Sequence, residues 1–231
     1  MTKNSVRRSA RLLGAGLRAL LVLTLVCGVL YPLTVTGVAQ ALFPGRADGS
    51  KARDAEGRVV GSALIGQRYD LPGKAGEAGE AGEAGEEPRP DLRWFQPRPS
   101  RGLGTSTVNT RYELLLSGAT NRSGDNPELL AWVKAARAAV VRENSTATYR
   151  VRPADVPPDA VTSSGSGLDP HISPAYAALQ VHRVAARNGL TVREVERLVA
   201  RHTEGRTLGF VGEPRVHVLG LNTALRDLAR N

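Results

Sequence analysis

Ser166, Asp169 and His171, close together in GSGLDPHISP, carry the side-chain types of a hydrolytic triad. Such a triad needs a nucleophile presented on a strained turn, with base and orienting acid positioned around it. The GSG around Ser166 lacks the G-x-S-x-G elbow, and both partners crowd the same loop, so turn and helix-cap chemistry fits Asp169-Pro170 and Ser173-Pro174 better. Four histidines, His171, His182, His202 and His217, raise metal binding, but their spacing follows no established zinc pattern. With His182 inside a helix and His202 ending another, structural or surface histidines are expected. Arg206, Glu213 and Arg215 lie in GRTLGFVGEPR, a loop held by Gly209, Gly212 and Pro214. They read either as an internal ion pair fixing the loop or as a docking surface offering Arg and Glu to a partner. Gln180 and Arg183 stand three apart on one helical face, where they can pair or reach a partner. No glycine-rich phosphate loop ending in Gly-Lys-Ser/Thr is present in the sequence.

Local signals indicate which elements position these residues. Asp125 or Asn126 before Pro127 and Glu128 starts a helix with Leu129, Leu130, Val133, Ala136, Val140 and Val141 on its apolar stripe, running to about Glu143. Ser173 caps a second helix with Pro174 at its first position, and Gly189 ends it. Thr191 and Glu194 form a capping box opening a third helix with Val192, Val195, Leu198 and Val199 on its stripe. RVHVLGL at 215–221 alternates like a half-buried strand, and Asn222 to Arg230 makes a short final helix. After the N-terminal region, Val59, Val60, Ala63, Leu64 and Ile65 supply a short strand-forming module, and Trp94 and Phe95 read as packing anchors. Helices mixed with a few strands predict an α/β domain.

The chain has 231 residues and a formal net charge of +9, unevenly placed. Residues 1–45 carry Lys3, Arg7, Arg8, Arg11 and Arg18 without an acid, while the remaining 186 hold 26 bases and 22 acids. No basic stripe with interleaved aromatics appears, which argues against nucleic acid as a partner. The asymmetry is a topology signal instead. Ala19 to Gly45 contains no charged residue, longer than the h-region of a cleaved signal peptide despite the A-x-A at Ala39 to Ala41. A retained helix in the lipid bilayer is therefore expected over 17–38, with Pro32 kinking or breaking it. Positive charge before the helix predicts a cytoplasmic N-terminus, 1–16, and an extracytoplasmic domain, 39–231. Residues 74–90, with four tandem Ala-Gly-Glu units, read as a flexible insertion. Cys27, the only cysteine, lies in the apolar stretch, so the domain has no disulfide available.

Several phrases together resemble the KdpC family, small accessory subunits of Kdp potassium-transporting P-type ATPases. They are LDPHISP at 168–174, LQVHRVA at 179–185, HTEGRTLGF at 202–210 and GEPRVHVLGLN at 212–222, with GSALIGQ at 61–67 and SGATNRSGDNPEL at 117–129 as weaker matches. His182, His217 and the Ala-Gly-Glu units depart from the family pattern. The resemblance implies a channel-like potassium-binding subunit and a P-type ATPase subunit as partners. It implies a non-catalytic chain that stabilises their assembly and acts as a catalytic chaperone raising ATP affinity of the ATPase subunit. No directly bound cofactor is expected, ATP and potassium acting at the level of the complex. The chain lacks the DKTG phosphorylation motif of such pumps. Candidate residues for partner docking or nucleotide affinity are Asp169, His171, Gln180, Arg183, Arg206, Glu213 and Arg215. ATP is cytoplasmic whereas the charge bias puts these residues outside, so an effect on ATP affinity is expected through assembly rather than contact. The alternatives are an anchored extracellular binding protein, or a hydrolase using Asp169 and His171.

Overall fold

The computed structural model describes residues 3–71, 89–99, 117–118 and 121–230. Most of the insertion expected at 74–90 lies outside the described residues. The chain divides into two compact units, Met1–Lys51 and Ala52–Asn231.

In the first unit α1 (Lys3–Leu25) and α2 (Tyr31–Leu42) join through a π turn at Val26–Leu30. There the Tyr31 N–H reaches back to the Val26 carbonyl. Pro32 supplies the physical reason. In a regular helix its ring would press on the carbonyl of Gly28, and its missing N–H would leave that oxygen without a donor. A wider π turn gives the ring room. The expected break at Pro32 is thus absorbed, and helix continues to Leu42. Arg8–Leu42 is long and apolar enough to cross a membrane, by length and composition. The single turn α3 (Pro44–Ala47) follows.

The second unit mixes helix and sheet. β1 (Lys51–Arg53) pairs with β2 (Val59–Ser62). At their turn the Asp54 carboxylate accepts the Arg58 N–H at 2.8 Å and the Arg58 side chain at 2.9 Å. Burial pushes the Asp54 carboxyl up, but these bonds and the guanidinium charge outweigh it and hold its pKa below the ordinary value.

Capping chemistry governs the three middle helices. α4 (Pro127–Asn144) starts where the Asn126 side chain accepts the N–H groups of Glu128 and Leu129. α5 (Pro174–Asn188) is capped by Ser173 and ends at Gly189 in the left-handed conformation. α6 (Val192–Arg201) has the complete Thr191–Glu194 capping box. Its buried Val195 and Leu198 meet Ala177, Val181 and Val184 of α5 in the core. Full burial of each of these valines and of Leu198 contributes about 1.5–3 kcal/mol. Leu130, expected on the α4 stripe, instead stands exposed.

A three-stranded antiparallel sheet has the order β3-β5-β4, with β3 leading into α5 and β4 following α6. Its strands are β3 (His171–Ile172), β4 (Thr203–Glu204) and β5 (Arg215–His217). The strand expected over 215–221 stops at His217, and α7 (Val218–Arg230) begins at once. The His217 side chain is the cause: its Nδ1 accepts the Gly220 N–H at 3.0 Å, satisfying a donor that an α-helix leaves orphaned at its start. Alternation therefore survives only through 217.

Candidate functional site

Gln180 and Arg183 project from α5 into the interior, 0% and 2% exposed. Both face the segment 91–99, which has no regular secondary structure and must satisfy its backbone by other means. Gln180 acts on it as a neighbouring strand would. Its Oε1 accepts the Gln96 N–H at 2.7 Å and its Nε2 donates to the Gln96 carbonyl at 3.1 Å. Asn222 of α7 repeats the arrangement one residue earlier, accepting the Phe95 N–H and donating to the Phe95 carbonyl, each at 2.9 Å. Phe95, between these two clamps, is fully buried.

Arg183 completes the latch. It donates to the Leu92 carbonyl, to the Trp94 carbonyl at 2.9 Å, to Asn144 Oδ1 at 2.8 Å and to Gln180 Oε1 at 2.6 Å. Asn144 is itself oriented by donating to the Val140 carbonyl. Among the described residues no carboxylate forms an ion pair with Arg183. Burial of the unpaired cation pulls its pKa down to about 10. The expectation that Gln180 and Arg183 can pair holds; as direct docking residues they are corrected, because the interior consumes their polar atoms. Asn144 and Asn222 escaped the sequence reading, since a lone Asn on a helix gives no periodic signal.

Asp169 and His171 form a hydrogen-bonded corner. Asp169 Oδ1 accepts the His171 N–H at 2.9 Å and contacts His171 Nδ1 at 3.2 Å. Its Oδ2 lies 3.4 Å from the guanidinium of Arg98. The His171 hydrogen bond, working against partial burial, holds the Asp169 carboxyl below its ordinary pKa. Ser166 Oγ accepts the Leu168 N–H and lies against Ser164 Oγ. Gly66 packs on the same corner, where an added Cβ would come within 2.7 Å of the Asp169 carbonyl. The GSALIGQ phrase is thus held against LDPHISP by backbone contact.

Each other histidine has a local partner. His182 stacks on Tyr149 with ring centroids 3.9 Å apart. His202 Nδ1 donates to the Leu198 carbonyl at 2.9 Å. His217 donates from Nε2 to the Ala63 carbonyl at 3.1 Å while Nδ1 accepts from Gly220, which fixes it as the neutral imidazole. Burial, reinforced by nearby His171 and His202, lowers the His217 pKa despite its bond to Ala63.

Arg206, Glu213 and Arg215 stand together on an exposed hairpin built on β4 and β5. Glu204 and Arg215 face each other in register, with a 2.9 Å ion pair between their side chains. Arg206 and Glu213 form the next pair outward at 2.8 Å. Thr207 and Val211 close the hairpin. These residues therefore brace the loop as an internal ion pair would, while all remaining at the surface.

Comparisons with known proteins identify relatives along nearly the whole chain. The family described as "K+-transporting ATPase, c chain" (KdpC) matches residues 13–227. A potassium-transporting ATPase KdpC subunit from Streptomyces avermitilis is 65% identical over 225 residues, covering 97% of each chain. Its counterpart from Streptomyces coelicolor is 66% identical over 224 residues, covering 97% of this chain and 96% of the relative. One from Geobacter sulfurreducens is 41% identical over 213 residues, covering 90% of this chain and 94% of the relative. The chain belongs to the KdpC family, the c chains of the K+-transporting ATPase, and its role in potassium transport is that of an accessory subunit.

Proposed function

We propose that the chain is a non-catalytic, single-pass subunit that stabilises assembly of a channel-like potassium-binding subunit with a P-type ATPase subunit. The N-terminus lies in the cytoplasm and the domain outside, as Lys3, Arg7, Arg8, Arg11 and Arg18 ahead of the uncharged span favour. The observation that carries the non-catalytic reading is the internal use of the reactive-looking groups: Asp169 caps its own loop, and Gln180 and Arg183 hold residues 92–96. The surface left for partners includes the 203–217 hairpin. ATP affinity of the ATPase subunit rises through assembly, with no contact between this domain and nucleotide.

Co-expression of a tagged chain with the two larger subunits tests this. Both are expected to co-purify, and omission of the chain should weaken their association and raise the complex's KM for ATP. Separate purification of the three with unchanged ATP hydrolysis defeats the reading. Sidedness is checked by Ser117→Cys in a Cys27→Ser background: an impermeant thiol reagent should label it in intact cells. Labelling only after lysis reverses the orientation.

A further inference from the structure

Leu208 and Phe210 are 82% and 73% exposed, with Val211 beside them at 49%. They form the tip of a hairpin braced rung by rung, from Thr203–Val216 through the two Arg–Glu pairs to Thr207–Val211. At the turn Leu208 has φ 55 and Gly209 φ 82, and the Phe210 N–H returns to the Thr207 carbonyl at 3.3 Å. These φ signs belong to a type I′ turn, whose first central position suits Asn or Gly. Leucine is strained there. At that exposure, burial within this chain does not offset the strain. A large apolar side chain held outward at a conformational cost is explained by burial against another surface.

We infer that the 207–211 tip is an apolar plug that seats in a pocket of another protein subunit of the potassium-transporting assembly. Leu208 and Phe210 are its anchors, and the two ion pairs are its polar rim. This deepens the assembly reading and rests on it. Charge favours a protein pocket over the bilayer. Between 203 and 217 two arginines and two glutamates cancel, each Arg already paired with a Glu. An anionic lipid surface rewards uncompensated cations around an apolar tip, whereas a neutral polar collar around apolar anchors is the anatomy of a protein interface. A second copy offers poor complementarity: a cleft of about 680 Å³ beside the ends of α4 and α5 is lined by charge of both signs, four arginines with Asp91 and Glu143, which an apolar plug would bury.

The test uses the full chain co-expressed with its partner subunits. Leu208→Asn suits the left-handed turn while removing the apolar group, and Phe210→Ser removes the second anchor. Each should leave the melting temperature of the isolated full chain unchanged, or raise it by about 2–4 °C for Leu208→Asn. Each should lower the partner retained on the tagged chain at least about fivefold. Wild-type retention by both variants overturns the inference, as does a loss of retention that merely follows a lowered melting temperature. Phe210→Trp, read against the wild-type chain, should give a blue-shifted difference emission only when partner subunits are present. Quenching by brominated lipid in nanodiscs holding the chain alone would place the tip in the bilayer. A shift that grows with concentration of the chain alone would place it on a second copy. Either result overturns the inference. A wild-type chain that retains no partner defeats the assembly reading itself, a failure visible before any variant is made.

Discussion

The segment 91–99 and the hairpin 203–217 are both built around arginine, and they use it in opposite ways. Arg183 is buried, pairs with no carboxylate among the described residues and grips backbone carbonyls of the segment. Arg206 and Arg215 lie at the surface, each paired with a glutamate across the hairpin. The inner segment depends on side chains from α5 and α7 to satisfy it, so its order is inseparable from the core. The hairpin pairs with β3 only at its base, through Val216 and His217, and beyond that is closed by its own rungs. The difference teaches that an arginine's partners, rather than its charge, decide whether it belongs to the fold or to the surface.

Breaking the inner latch should have the largest effect. Arg183→Met removes the guanidinium bonds to the Leu92 and Trp94 carbonyls and to Asn144 Oδ1, and should cost about 3–5 kcal/mol of stability. Denaturant unfolding of the full chain in detergent measures it; a loss below about 1 kcal/mol would mean that the buried guanidinium is replaceable by packing. Asn222→Ala strips both partners from the Phe95 backbone and should cost about 2 kcal/mol in the same assay.

Acid should weaken the His217 cap of α7 by a smaller amount, because a proton on Nδ1 removes the acceptor of the Gly220 N–H while the Nε2 bond to Ala63 persists. His217 in the folded chain has a pKa lowered from the ordinary 6.5. The unfolded chain therefore takes up a proton first as pH falls. Stability from this site is intact above about pH 6.5 and declines as pH drops through that value toward the lower folded one. His217→Asn should flatten that part of the stability–pH profile, and an unchanged slope would exclude His217 as its origin. The smallest effect belongs to the hairpin: Arg206→Ala should change stability by less than about 1 kcal/mol, since both members of its pair are solvated. A larger loss there would collapse the contrast between the two regions.

The parts legible in the sequence are those with local causes. Asn126, Ser173 and the Thr191–Glu194 box act within three residues of themselves, so their types and spacing sufficed to place α4, α5 and α6. The break at His217 was hidden because a histidine cap has the same alternation as a strand up to that residue. Pro32 was visible, but the π turn that accommodates it was not. Charged and amide side chains are ordinarily exposed, which made Gln180 and Arg183 read as surface residues. A physical clue was available in the segment Asp91 to Pro99, which has large aromatics but no regular period and so needs outside donors and acceptors. The Arg206–Glu213 pair follows from the loop's own residue types, whereas Glu204 as the partner of Arg215 and the strain at Leu208 have no signature in composition.

The clamp on Phe95 has a consequence for synthesis. Asn222 lies 127 residues downstream of the backbone it holds, and Gln180 lies 84 downstream of Gln96. A ribosome makes the segment long before it makes the clamps. Until α7 has been translated, the Phe95 ring lacks its cover and its peptide groups lack their partners, so the nascent domain stays open to proteases and chaperones. A chain halted before Asn222 lacks the clamp on its aromatic anchor.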